Sequence, residues 1–101
     1  MMDRKKKLII KVKEIKGNCP IFKEGDKFFI ENGFVLRLEK PICLHALTSI
    51  MPYYIALSRG IKPEELRLGK ENKAYVQCLD PCKYTGGGTV IFEIIVEESD
   101  V

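Results

Sequence analysis

The sequence lacks the segments that would take the chain into or across a membrane. No apolar run approaches the roughly 18 residues that a membrane-spanning helix needs. The charged segment Met1–Lys7 is not followed by a small-residue cleavage site, so it does not have the form of a signal peptide. We therefore expect a cytoplasmic protein without membrane contact, in a reducing compartment that disfavours structural disulfides.

The sequence is also poor in the residue patterns that carry catalysis or RNA recognition. It contains a single histidine, His45, and its carboxylates show no paired spacing typical of general acid–base chemistry. Its aromatic residues are scattered rather than interleaved with arginine as in RNA-binding sequences. These absences favour a protein that is not an enzyme.

The overall composition is that of one folded domain. The chain has 101 residues, of which 46% are hydrophobic and 31% are charged, and this balance is typical of globular rather than disordered proteins. A chain of this length has no room for a second domain. We expect a single domain over residues 1–101, with residues 1–6 as a flexible basic tail.

Charge is distributed unevenly along the chain. Residues 1–16 contain seven basic and two acidic side chains, whereas residues 93–101 contain four acidic and no basic ones. A basic amino terminus can bind nucleic acid, or it can complement an acidic strand across a sheet. Because both ends of the chain look like strands, we favour the second interpretation, with Lys11 and Lys13 on the same sheet face as Glu93.

Strands are predicted by alternation of apolar and polar residues. This period of two extends over residues 7–13 and 90–97, and a further strand is predicted over Ala74–Cys78. Between two further apolar runs lies Asn32-Gly33, the strongest short-range signal for a hairpin, because its turn needs a positive φ at both central residues.

A helix is predicted between these strands, over Ile42–Gly60, where apolar residues recur at helical spacing. Pro52 removes one N–H in the middle, so we expect a kink or two short helices. A helix and a sheet each need a partner to bury their apolar faces. The predicted fold is α+β: a four- to five-stranded, mainly antiparallel sheet with a Pro-kinked helix, about 43–59, packed on one face.

Short cysteine, glycine and proline motifs give the chain a resemblance to a known family. The motifs, in order, are Gly17-x-Cys19-Pro20, Gly25-Asp26-x-Phe28, Cys43-x-x-Ala46-Leu47 and Cys78-x-Asp80-Pro81. Their order and spacing over residues 8–95 resemble a family of short, uncharacterised prokaryotic proteins. The resemblance implies no activity, but it supports the extent of the domain and directs attention to three of the cysteines.

The four cysteines allow three interpretations. Cys43 and Cys78 lie on apolar faces of their predicted elements and can be small core residues. Alternatively, Cys19, Cys43 and Cys78 bind zinc or an iron–sulfur cluster, with Cys82 or His45 as fourth ligand. The only close pair is Cys78-x3-Cys82, which departs from usual zinc spacing.

The third interpretation is a reactive thiol. Cys19 follows a glycine turn and precedes a proline, which predicts an accessible loop position. Cys43 lies near a predicted helix start, where the helix dipole favours the thiolate, and His45 is the only histidine that could serve as its base.

Together these observations predict a small cytosolic binding or assembly module that forms a homo-oligomer through an exposed strand edge or the helix face. A metal-binding or thiol-redox protein using Cys19, Cys43 and Cys78 is the alternative. Weak nucleic-acid binding through the basic amino-terminal segment is a third hypothesis.

Overall fold

The first and the last strand are the longest, and they pair at the centre of one antiparallel sheet. A computed structural model describes residues 6–97. Its elements are β1 (Lys7–Gly17), β2 (Lys27–Glu31), β3 (Val35–Leu38), α1 (Leu44–Ser58), β4 (Gly69–Lys70), β5 (Lys73–Gln77), α2 (Cys82–Thr85) and β6 (Gly88–Glu97). The six strands are ordered β3-β2-β1-β6-β5-β4, which confirms the predicted α+β class. Apart from Lys6, the predicted flexible tail lies outside the described residues.

The pairing of β1 with β6 confirms the cross-strand interpretation of the uneven charge. Lys7 lies opposite Glu97 and Lys11 lies opposite Glu93 in the antiparallel register. The Nζ atom of Lys13, at an irregularity in the register, lies 3.9 Å from the Glu93 carboxylate. Basic residues of β1 and acidic residues of β6 therefore meet on the sheet face that points away from the core.

The predicted hairpin forms between β2 and β3. Asn32 and Gly33 have φ values of 57° and 82°, the positive values that the turn requires. The Phe34 N–H donates a hydrogen bond of 3.1 Å to the carbonyl oxygen of Glu31, and pairing resumes between Glu31 and Val35. Phe34 is left as an extra residue at the turn, with its ring exposed.

Helix α1 covers one face of the sheet, as predicted. It continues through Pro52 as one element, so the alternative of two short helices is wrong. Its side chains Ala46, Ile50 and Leu57 are buried against β1, β5 and β6. At its end the carbonyl oxygen of Ser58 accepts a hydrogen bond of 2.8 Å from the N–H of Lys6, just before β1 begins.

Three phenylalanines occupy the core between helix and sheet. The ring of Phe92 packs edge-on against Phe22 and Phe28, with ring centroids 5.4 and 6.4 Å apart. Leu8, Ile10 and the other alternating residues of β1 and β6 surround them. The apolar faces predicted for the strands that became β1, β5 and β6 therefore lie in the core.

Like the short helix α2, the edge strand β4 was not predicted from the sequence. It has two residues and pairs with β5 through Gly69 and Lys70. The connecting residues Glu71 and Asn72 both have positive φ, at 54° and 64°. A glutamate at the first of these positions is not a recognised turn signal. The hairpin was therefore predicted neither by alternating apolar residues nor by an Asn-Gly pair.

Candidate functional site

The cysteines serve mainly local structure. Cys78 is buried in the core cluster, and its sulfur accepts a hydrogen bond of 3.4 Å from the N–H of Asp80. The sulfur of Cys19 accepts one of 3.3 Å from the N–H of Phe22, in the turn after β1. Cys43 is half-buried against the core at the start of α1. These contacts agree with the interpretation of Cys43 and Cys78 as small core residues.

Cys82 lies at the start of α2, close to the end of β1. A side chain at Gly17 would collide with its sulfur. Its N–H donates a hydrogen bond of 3.2 Å to the hydroxyl of Thr89, which in turn donates to the carbonyl oxygen of Asp80. Cys82 thus helps to fasten α2 onto the beginning of β6. All four cysteines are free thiols.

The predicted metal centre has no geometric support in the described part of the chain. Among residues 6–97, no three His, Cys, Asp or Glu side chains lie where they could hold one metal ion. Cys19, Cys78 and Cys82 come to the same end of the sheet, since they follow β1, follow β5 and precede β6. Zinc or iron–sulfur binding by Cys19, Cys43, Cys78 and Cys82, and thiol-redox chemistry, stay predictions.

An apolar groove lies between α1 and the edge strand β3. We call it the β3–α1 groove. It has a volume of about 150 Å³ and is lined by Ile30, Phe34, Leu36, Leu47, Ile50, Met51 and Tyr54. None of these side chains is charged, and Phe34, Leu36 and Met51 are 76%, 41% and 55% exposed. The groove exists because α1 packs over β1, β6 and β5 and leaves the inner face of β3 uncovered.

The backbone of β3 is open along the outer side of this groove. Within residues 6–97, β3 pairs only with β2. The Glu31 carbonyl accepts from the Phe34 N–H, so the Glu31 backbone faces β3, and its register partner Val35 faces β2. Because backbone direction alternates along a strand, the N–H and C=O groups of Leu36 and Leu38 point away from the sheet. They form an edge that another strand can pair with.

An ion pair holds the open end of the β2–β3 hairpin. The Asp26 carboxylate accepts hydrogen bonds of 2.8 Å from the Lys40 ammonium and from the Lys23 backbone N–H. Asp26 directly precedes β2 and Lys40 follows β3, so the contact joins the two ends of the hairpin. The hydrogen bond from Lys40, and then that from Lys23, lower the pKa of Asp26 below its ordinary value of 3.8.

A second, larger groove lies on the other side of α1, beside β5. Its volume is about 490 Å³, and Thr48, Ser49, Pro52 and Tyr53 of the helix form one wall. The hydroxyls of Thr48 and Ser49 donate to the carbonyl oxygens of His45 and Ala46 within the helix. The hydroxyl protons of Thr48 and Ser49 are therefore engaged within the helix rather than directed into the groove.

Comparison with protein-family models, curated proteins and solved structures finds no match for this chain. The resemblance to the prokaryotic family stays a prediction. Neither helix in residues 6–97 has the length and apolar character needed to cross a membrane.

Sequence inspection anticipated an exposed strand edge and a helix face, but not which residues form them. The alternation of Leu36 and Leu38 is the same signal that marks buried strands. Their exposure follows from where α1 ends up on the sheet, and no local pattern encodes that placement.

Proposed function

We propose that the protein is a small cytosolic assembly module that self-associates through the edge of β3 and the β3–α1 groove. The observation that carries this proposal is an uncharged groove with exposed Phe34, Leu36 and Met51 beside an unpaired strand edge. Both features favour association, one by burying apolar surface and the other by completing backbone hydrogen bonds.

A second copy of the chain is the partner that this surface fits. A two-fold interface must be self-complementary, and an antiparallel strand edge meets that condition because its donors and acceptors match those of an identical edge. Pairing two β3 strands brings the backbones of Leu36 and Leu38 together with their counterparts. The two grooves then flank the shared strand pair and can cover each other's exposed leucines.

The edge strand β3 contains no lysine, no proline and no inward-pointing charge. Monomeric proteins commonly place lysine, proline or an inward-pointing charge on such strands. The only charged residue of β3 is Arg37, whose Nε donates a hydrogen bond of 2.8 Å to the Glu31 carboxylate. Its charge is therefore neutralised within the hairpin and does not oppose a second copy.

The test is the oligomeric state of the wild type and of two matched variants, measured by sedimentation velocity over a range of concentrations. Leu36→Glu places a charge in the groove, and we expect it to shift the protein to a monomer. Leu79→Glu makes the same change at another exposed leucine outside this groove and should leave association unchanged.

Thermal melts by circular dichroism establish that both variants are folded. The proposal is wrong if the wild type is a monomer at every concentration. It is also wrong if the folded Leu36→Glu variant associates like the wild type, or if the two variants lose association equally.

A further inference from the structure

The outer face of the sheet, opposite α1, carries an excess of positive charge. We define it by the residues that alternate with the buried ones on each strand. Its seven cations are Lys7, Lys11, Lys13, Lys27, Arg37, Lys70 and Lys73, against the three carboxylates Glu31, Glu93 and Glu97. Glu14 and Lys16, beyond the irregularity of β1, add one charge of each sign.

Two of the carboxylates are already engaged by neighbours on this face. Buried Glu93 accepts a hydrogen bond of 2.9 Å from the Tyr75 hydroxyl and lies 3.9 Å from the Lys13 ammonium. Glu31 accepts the bond from Arg37. Lys27, Lys70 and Lys73 have no carboxylate opposite them in the strand register.

Lysines face each other directly at two places on the outer face. Lys11 lies opposite Lys27 across β1 and β2, and Lys70 lies opposite Lys73 across β4 and β5. Like charges in directly opposed positions destabilise a sheet. A bound polyanion removes this repulsion, and the two pairs lie on either side of β6 so that one extended anion can reach both.

Two aromatic rings stand on the same face. Phe29 is half-buried on β2, with the Lys7 ammonium 4.9 Å from its ring centroid, and Tyr75 is exposed on β5. Between them the face is formed by Ile9 and Ile95, which lie opposite each other on β1 and β6. Aromatic rings on an open sheet are where the unpaired bases of single strands stack.

We infer that the outer face binds single-stranded nucleic acid, with phosphates on the opposed lysine pairs and bases on Phe29 and Tyr75. The lysines supply the charge complementarity. The rings select a single strand over a duplex, whose bases are already stacked, and over an acidic peptide. Binding is expected to be tolerant of sequence and strongly weakened by salt.

The first experiment measures fluorescence anisotropy of a labelled oligothymidine as salt is raised. The double variant Lys11→Gln/Lys27→Gln should bind at least about 10-fold more weakly, and the logarithmic salt slope should fall by roughly 0.7 per lost phosphate contact. Lys62→Gln/Lys83→Gln removes the same charge at exposed positions off the sheet and should change neither quantity.

The second experiment isolates the contribution of stacking. Phe29→Leu keeps an apolar side chain without the ring and should weaken oligothymidine binding about 5-fold or more, since stacking contributes on the order of 1–3 kcal/mol per base. Binding of heparin, a polyanion without bases, should be unaffected. Thermal melts verify that each variant is folded.

The inference is overturned if the wild type does not bind the oligonucleotide, or if both double-lysine variants lose affinity equally. Binding of a duplex as tightly as the single strand would overturn it as well, and so would a folded Phe29→Leu variant with unchanged affinity. None of these outcomes bears on self-association through β3, which is measured separately.

Discussion

Strands β1 and β3 both place alternate apolar side chains on the inner face of the sheet, but those of β1 are buried and those of β3 are exposed. Ile10 of β1 is fully buried, whereas Leu38 of β3 is 46% exposed. The difference is helix α1, which packs mainly on β1, β5 and β6 and leaves Leu36 and Leu38 of β3 partly exposed. The apolar pattern of a strand therefore predicts which face can be buried, while the helix decides whether it is buried.

This contrast divides the inner face into two regions with different roles. The region under α1 contains the phenylalanine cluster around Phe92 and stabilises the fold. The region at β3 contributes little to the core and leaves the β3–α1 groove open. If the proposed self-association holds, stability and association should be separable by mutation.

The largest effect is expected where the two regions are compared directly. Phe92→Ala empties the centre of the core and should lower the free energy of unfolding by about 3–5 kcal/mol. Leu38→Ala removes a half-exposed side chain and should cost less than about 1 kcal/mol. Urea denaturation measures both. The denaturation is done at protein concentrations where the chain is a monomer, and similar losses for the two variants there would show that Leu38 is buried within the monomer and would break the comparison.

A smaller loss of stability is expected on the outer face of the sheet, opposite the region under α1. Tyr75→Phe deletes the hydrogen bond to buried Glu93 and should cost about 1–2 kcal/mol near neutral pH. That bond, then burial, raises the pKa of Tyr75 above its ordinary value of 10.0. The contribution is therefore complete below pH 10 and is lost as pH rises through the raised pKa.

The measurement is the difference in unfolding free energy between wild type and Tyr75→Phe at neutral and at strongly alkaline pH. The difference should shrink in alkali. Tyr84→Phe serves as the control. The exposed Tyr84 hydroxyl has no hydrogen-bond partner within residues 6–97, so this variant should show no such change.

The smallest effect is expected at the hairpin of the open region. Asp26→Asn weakens the contact with Lys40 and should cost about 0.5–1 kcal/mol at neutral pH. Because the folded state lowers the pKa of Asp26, this stability is present above the ordinary pKa of 3.8 and is lost as pH falls through the lowered value.

Chemical denaturation of wild type and variant at neutral pH and at strongly acidic pH checks this sign. Glu64→Gln makes the matching carboxylate-to-amide change in an exposed turn and should be neutral at both pH values. A loss for Asp26→Asn that persisted in strong acid would contradict an ionic origin.

Much of the architecture was predictable because it depends on short-range signals. Alternation located β1, β5 and β6, the Asn32-Gly33 pair located the hairpin, and helical spacing located α1. Strand β4 was missed because two residues carry no periodicity. The short helix α2, over Cys82–Thr85, was missed for the same reason.

The candidate site was predicted only in outline. An exposed strand edge and a helix face were expected. The sequence did not identify Phe34, Leu36 and Met51 as their residues, since each is of a type usually buried in a core. The cysteines show another limit of prediction from residue type. They attracted attention as chemically distinctive residues, whereas Cys19 and Cys78 accept backbone hydrogen bonds in local turns.

By itself the sequence determined the elements, the faces of the strands that are apolar, and the pairing of a basic first strand with an acidic last one. These features depend on neighbours within a few residues and on the alternation of side chains along a strand. Only the tertiary structure decided that α1 leaves β3 uncovered and that lysines from different strands face each other. Such features arise from contacts between residues far apart in the chain, and no local pattern records them.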